Sequence, residues 1–341
     1  MSAMTPEEKL QALWQRGCEF LGCRTAIMGG AMSWLSERNL VSAISNAGGF
    51  GVIACGAMTP DILASEVAAT QAMTDKPFGV NLITMHPDLD QLIDVCIDAG
   101  ISHVVLAGGL PTGASIAKLK EAGVRVICFA PALALAKRLI RNGADALVIE
   151  GAEAGGHIGP VATSVLAQEI LPHIADVPVF VAGGISRGEA MVSYLEMGAS
   201  GCQLGTGFVC ATESIAHPDF KKAFIRANAR DAVPTVQIDP KFPVIPVRAL
   251  VNEGTKHFNE IQREAAGRVE RGEVGLKDAQ LEIEHFWAGA LKRAVIDGDV
   301  KNGSLMAGQS VGMVKEEQPT EEIINELVVQ AVNVLDSRGD S

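Results

Sequence analysis

A repeat constrains this chain more than any other feature. Eight short apolar runs recur along the first 210 residues, roughly 21–31 residues apart. They are RTAIMG (24–29), GVIAC (51–55), FGVNL (78–82), HVVLA (103–107), VRVICF (124–129), ALVIE (146–150), VPVFVA (177–182) and GCQLG (201–205). Most are continuously apolar rather than alternating, which is how strands read when both faces of a parallel sheet are covered. Amphipathic stretches lie between them. Residues 87–99 set Leu89, Leu92, Ile93 and Cys96 near one face. Residues 131–142 do the same with Leu133, Ala136 and Leu139, leaving Lys137, Arg138 and Arg141 outward. Each opens on a proline, Pro87 or Pro131, a residue suited to the first helical position. Gly100, Gly123, Gly143 and Gly198 follow helix ends as left-handed caps. Eight strand–helix units predict an α/β protein, a (β/α)8 TIM barrel; a doubly wound open sheet is the competing arrangement.

The pattern changes after about residue 210. Residues 219–300 show no clear strand–helix repeat and read as charged helix, with 13 basic and 13 acidic side chains. The rest of the chain therefore carries the whole net charge of −12. This asymmetry predicts a helical lid subdomain over 219–300, inserted in a barrel built from 1–218 and 301–341. Residues 320–335 read as a closing helix with Thr320 as N-cap, and Ile323, Ile324, Leu327, Val328, Ala331 and Leu335 packing back on the barrel. The acidic balance argues against nucleic acid as a partner. No apolar run approaches 18 residues, which argues against a membrane helix. The polar N-terminus lacks the core of a secretory signal. Seven cysteines, an odd number without a CxxC pair, predict reduced thiols and a cytoplasmic protein.

Barrel enzymes carry their chemistry on the loops that leave the C-terminal strand ends. Here those positions hold Gly29-Gly30-Ala31-Met32, Asn81, Gly108-Gly109, EGAEAGGHIG (150–159), Gly183-Gly184 and Gly205-Thr206-Gly207. Small residues after the last two strands let backbone N–H groups approach a phosphate, although tight turns explain any single pair. No GxGxxG follows the first strand and no P-loop occurs. His157, in the glycine-rich loop after the sixth strand, is the candidate to take or give a proton; a solvated loop imidazole is the plainer alternative. Glu150 and Glu153 either hold a cofactor hydroxyl or are solvated carboxylates. His103 reads as structural and His217 as a turn or helix start. There is no HExxH or other metal cluster and no GxSxG. A barrel isomerase or aldolase for a phosphorylated metabolite is the non-redox reading, and the lack of a strand-end lysine speaks against the aldolase.

EGAEAGGHIG (150–159), VPVFVAGGIS (177–186) and CQLGTGFVCATES (202–214), with NAGGFGV (46–52), DKPFGVNL (75–82) and GSLMAGQSVG (303–312), resemble the nitronate monooxygenase superfamily. That superfamily also holds the FMN-dependent enoyl-acyl-carrier-protein reductases. The resemblance runs from about Ala26 to Leu335. It implies a barrel with an inserted lid and a non-covalent FMN at the mouth. Its phosphate would lie at Gly183, Gly184, Gly205 and Thr206. Met28, Gly29, Gly30, Ala31 and Asn81 would approach the ring. Phe129, Glu150, Ala154 and Gly155 take other cofactor positions, Met306, Gly308 and Gln309 would close over the flavin edge, and His157 falls on the active-site histidine.

The implied reaction is oxidation of an alkyl nitronate by O2 to a carbonyl compound and nitrite. The alternative is NAD(P)H-dependent reduction of an enoyl thioester on an acyl carrier protein, and a weaker one is NAD(P)H:quinone reduction. Lys221, Lys222, Arg226 and Arg230 are then either a docking face for an acidic carrier or a solvated helix face. A homodimer fits the family. Four positions depart from its pattern: Ala26 stands for a common proline, Gly29 for a frequent glutamine, Phe129 for a lysine of some members, and Gly207 for an arginine near the phosphate.

Overall fold

In a computed structural model, which describes residues 4–56 and 58–339, the eight apolar runs become eight parallel strands. They are Ile27–Gly29 (β1), Gly51–Ala54 (β2), Phe78–Ile83 (β3), His103–Ala107 (β4), Arg125–Phe129 (β5), Ala146–Glu150 (β6), Val179–Ala182 (β8) and Gly201–Leu204 (β9). A two-residue strand, Gly156–His157 (β7), lies between the sixth and seventh of these. The sheet runs β1-β9-β8-β6-β5-β4-β3-β2, and a parallel bridge from Met28 to Phe50 brings its edges together into a nearly closed barrel. Nearly every barrel-strand residue is buried, as the unbroken apolar runs require. The first run yields only three strand residues because Thr25 is spent on a loop, donating its N–H and hydroxyl to the Gly48 carbonyl.

The helices are Pro6–Leu21 (α1), Arg38–Asn46 (α2), Pro60–Met73 (α3), Leu89–Asp98 (α4), Gly113–Glu121 (α5), Leu133–Arg141 (α6), Thr163–Ile170 (α7), Gly188–Glu196 (α8), Pro218–Arg226 (α9), Glu253–Glu270 (α10), Leu276–Asp297 (α11) and Thr320–Gly339 (α12). α1 closes the floor, at the strand starts. The imidazole Nε2 of His103 lies 2.9 Å from the Phe20 carbonyl, and the rings of Phe20 and Phe50 meet it edge-on at 5.2 and 5.0 Å. A methyl group on Gly17 would lie 1.9 Å from the Ser200 carbonyl, so α1 rests directly on backbone. With the floor sealed, the mouth is the face open to chemistry.

Three expectations need correction. Pro87 and Pro131 stand two residues ahead of α4 and α6, not in their first turns. Before α4 that stretch is taken by a turn in which the His86 N–H donates to Ile83 O and the Asp88 N–H to His86 Nδ1. Thr320 is the first residue of α12 rather than its cap; the Glu213 carboxylate caps the helix, accepting from the Thr320 N–H at 3.0 Å and hydroxyl at 2.8 Å. Residues 219–300 are not purely helical. Ala232–Pro234 (β10) and Val247–Leu250 (β11) form an antiparallel pair, and β11 pairs on its other side with β7. Proline-broken strands of three and four residues carry no periodic signal, so the sequence hides them.

The remaining segments pack as two further apolar clusters. One joins α9 and the end of α11 to residues beyond β9, through Phe220, Phe224, Leu291, Val295 and Val311. The other lies inside the α10–α11 hairpin, around Phe258, Ile283 and Trp287, and takes in Val247 of β11. Met306 touches both.

Candidate functional site

Four loops meet above the C-terminal ends of β1, β6, β8 and β9. After β8 the chain turns through two left-handed residues, Gly183 (φ 94°) and Gly184 (φ 76°), a conformation that excludes most side chains. A Cβ on Gly184 would also come within 3.0 Å of the Glu153 side chain. The Glu153 carboxylate accepts from the Thr163 N–H at 2.8 Å and hydroxyl at 2.7 Å. That hydroxyl lies 3.0 Å from the Gly183 carbonyl, so Glu153 holds the loops after β6 and β8 together. Its own backbone carbonyl accepts the Gln309 N–H at 2.9 Å, and the Gly308 N–H donates to the Thr206 hydroxyl at 2.9 Å. A Cβ on Gly155 would fall 2.6 Å from the Gly308 nitrogen. These segments touch backbone to backbone, which only glycine permits.

The loop after β1 joins them: the Gly30 N–H donates to Leu204 O at 2.8 Å, and a Cβ on Gly30 would lie 3.3 Å from Gly205 Cα. A Cβ on Gly205 or Gly207 would meet only the Met32 side chain, no nearer than 3.5 Å, or Ser186 Oγ at 3.8 Å. Close contact on one side and open ground on the other describe a cradle of backbone amides, the arrangement that admits a phosphate-bearing cofactor.

The structure thus brings Gly30, Ala154, Gly155, Gly183, Gly184, Gly205, Thr206, Gly308 and Gln309 into one group. Met306 reaches it through Gly156, where a Cβ would lie 3.6 Å from its sulfur. Asn81 is buried in β3, Phe129 ends β5, and Gly29 ends β1. Met28 is wholly buried in the barrel core. Glu150 ends β6, where loss of hydration pushes its carboxyl up to about 8, so it holds its proton near neutral pH. Glu153 is not a solvated carboxylate, because Thr163 holds it.

His157 is exposed on β7, held in register with Val247 of β11. Its neighbour Gly156 pairs with Arg248, which sequence reasoning missed although an arginine inside VIPVRALV is conspicuous. Arg248 is buried. Its Nε donates to Ala152 O at 2.8 Å and its Nη1 to Ala232 O at 2.6 Å, joining the loop after β6 to β10. Trp34, in the loop after β1, was also missed. It has a left-handed φ of 68°, a strained state for a bulky residue, and its buried indole N–H finds no acceptor among the described residues. Lys292 of α11 sits over its ring at 4.9 Å, a cation–π contact between α11 and the loop after β1.

Other candidates resolve as structure. His217 caps α9, and His103 is buried in the barrel floor. Lys221 is buried against Glu317 at 2.6 Å, which takes it out of the expected basic face, whereas Lys222 stays exposed in a surface pair with Asp219. All seven cysteines are free; six are buried, and burial pushes the thiols up to about 11 or 12, so they are poor nucleophiles. Among the described residues there is no metal-binding cluster and no helix long and apolar enough to cross a membrane.

A model of the nitronate monooxygenase family matches residues 16–92 and 86–330. A (3aS,4S,5R,7aS)-5-hydroxy-7a-methyl-1-oxo-octahydro-1H-indene-4-carboxyl-CoA dehydrogenase of Mycobacterium tuberculosis is 31% identical, over 93% of this chain and 96% of its own. A probable nitronate monooxygenase of Staphylococcus saprophyticus is 27% identical, over 81% of this chain and 91% of its own. Among solved structures, FabK from Thermotoga maritima superposes with a TM-score of 0.85 at 35% identity, covering 96% of this chain and 99% of that one.

Proposed function

The chain belongs to the nitronate monooxygenase family of oxidoreductases, and from that premise we propose that it is an FMN-dependent enzyme acting on the acyl part of a thioester. One observation carries this choice: the 31% identity, over nearly both full lengths, to a dehydrogenase of a carboxyl-CoA substrate. This reverses the order of the two reactions expected from the sequence. Nitronate oxidation stays as the second reading, favoured by the family model and by the nitronate monooxygenase relative.

The amide cradle fits FMN. Gly183, Gly184, Gly205 and Thr206 would hold the phosphate, with Gly155, Gly308 and Gln309 beside the rest of the cofactor. FMN, when bound, supplies two-electron exchange with a carbon centre. The chain supplies the rest. His157 handles the proton at its imidazole, poised by its strand pairing with Val247. The α10–α11 hairpin, with Met306 beneath it, keeps water from the reacting atoms. Glu150, holding its proton, presents a hydrogen-bond donor at the end of β6.

Anaerobic titration of the flavin-loaded protein tests this. NADH, NADPH, a 3-hydroxyacyl-CoA and propyl-2-nitronate are added separately, and crotonyl-CoA is added to any sample that bleaches. Bleaching by the hydroxyacyl-CoA, or by a nicotinamide with recovery on crotonyl-CoA, is the expected result. Bleaching by nitronate alone would make this a nitronate monooxygenase. A chain that takes up no flavin would return it to the non-redox barrels.

A further inference from the structure

The Arg248 guanidinium presents an imbalance of charge. It is buried at 7% exposure, and no carboxylate lies within ion-pair distance of it among the described residues. Two backbone carbonyls take its Nε and Nη1. Burial pulls its pKa below the ordinary arginine value, and the more distant charge of Glu153 opposes that only in part. A desolvated cation compensated by neutral carbonyls alone is costly. Nη2 donates to nothing among the described residues and, unlike the Trp34 indole nitrogen, is not sealed off. Nη2 lies on the same edge of the guanidinium as Nε, the edge turned to the loop after β6. Arg248 therefore keeps the N–H groups of Nη2 unspent on the edge that faces the loop after β6, with an unbalanced positive charge behind them.

We propose that Arg248 is an anion-binding residue, whose Nη2 takes an anionic oxygen bound between the Ala152–His157 loop and β10–β11. Two sources can supply that oxygen: the flavin phosphate, or a charged substrate group beside His157. A guanidinium suits either, because its charge is permanent and its fork is planar. The two carbonyl bonds fix it in place before the anion arrives.

The test uses the full chain with Arg248→Gln and Arg248→Lys. The first arm compares FMN with riboflavin on flavin-stripped protein by fluorescence quenching; this arm rests on the function proposed above. The second titrates nitrate, a planar oxyanion, into the bare and flavin-loaded chains by calorimetry, and stands without that reading. Arg248→Gln should lower affinity in one arm by about tenfold or more, the worth of one charge-assisted hydrogen bond. Arg248→Lys, which keeps the charge but loses the fork, should lose about threefold. A reduced preference for FMN over riboflavin assigns the anion to the cofactor. Weaker nitrate binding with that preference intact assigns it to the substrate. If both flavins weaken equally and nitrate is unaffected, Arg248 is only a strut and the proposal is overturned. Should Arg248→Gln fail to fold, Arg248→Lys decides: affinities unchanged for FMN, riboflavin and nitrate overturn it equally. A wild-type chain that binds neither flavin refutes the flavin reading and leaves the nitrate arm to judge Arg248.

Discussion

His157 and Glu153 lie four residues apart in one loop and do different work. His157 is exposed on β7, which pairs with β11, and the function proposed above gives it the proton to handle. His157→Ala should keep its flavin and lose turnover by about 10²-fold or more, the scale of general acid–base catalysis. Flavin absorbance and kcat on one sample check both halves, and unchanged turnover would remove the residue from the chemistry. Glu153 acts through what it holds. Glu153→Ala strips the acceptor from the Thr163 N–H and hydroxyl, a cost of about 1–3 kcal/mol for donors left unsatisfied. It should lower Tm and flavin affinity together, since the same contact sets Gly183 and Gly184. Gly183 and Gly184 were legible in the sequence because their need is local: a left-handed turn after a strand asks for glycine whatever lies elsewhere. Gly155 and Gly308, pressed together from distant parts of the chain, were reached only through the family resemblance. Arg248 and Trp34 were not legible, because each matters through a partner far off in the chain, Ala152 and Lys292; Thr163 was not, because no local pattern marks its pairing with Glu153 ten residues earlier.

At the scale of elements, the apolar strands read cleanly because burial on both faces leaves no polar alternation to confuse them. Helix ends read less well. The glycines at 100, 123, 143 and 198 all adopt the left-handed conformation expected past a helix end. The start of α12 was legible to within one residue, but its cap was not, because that cap is a side chain 107 residues earlier. Glu213 lies just beyond β9, so this one carboxylate joins the last helix to the loop that follows the cradle. Glu213→Ala should cost about 1 kcal/mol, the usual worth of an N-cap, and lower Tm without altering the flavin spectrum. Thermal unfolding followed by far-UV circular dichroism measures the first effect. A changed spectrum would mean that the cap also shapes the cradle. The β10–β11 pair was hidden for another reason: its strands are short and broken by proline, and they are held by pairing with β7 and by the bond from Arg248 of β11 to the Ala232 carbonyl of β10 rather than by a pattern of their own.

For the whole molecule, floor and mouth titrate in opposite senses. Burial lowers His103, in the floor, to about 4 from an ordinary 6.5. A lowered histidine contributes stability that is present above pH 6.5 and lost as pH falls toward 4, because the unfolded chain takes up the proton first. The shift is worth at most about 3 kcal/mol. Burial raises Glu150, at the mouth, to about 8 from 4.5. Here the unfolded chain gives up its proton first, so stability is lost as pH rises from 4.5 to 8. Between 4.5 and 6.5 these two slopes oppose each other, with Glu37, its carboxyl also raised by burial, on the side of Glu150; above 6.5, of His103 and Glu150, only Glu150 acts. The flavin-free chain should therefore show a Tm that changes little from pH 4.5 to 6.5 and then declines toward pH 8. Glu150→Gln removes one slope and leaves the other. Its Tm should rise to about pH 6.5 and then hold level, and at pH 8 it should exceed that of the parent. A parallel decline in both proteins would show that Glu150 is hydrated and ionised at the mouth, and that it cannot serve there as a hydrogen-bond donor.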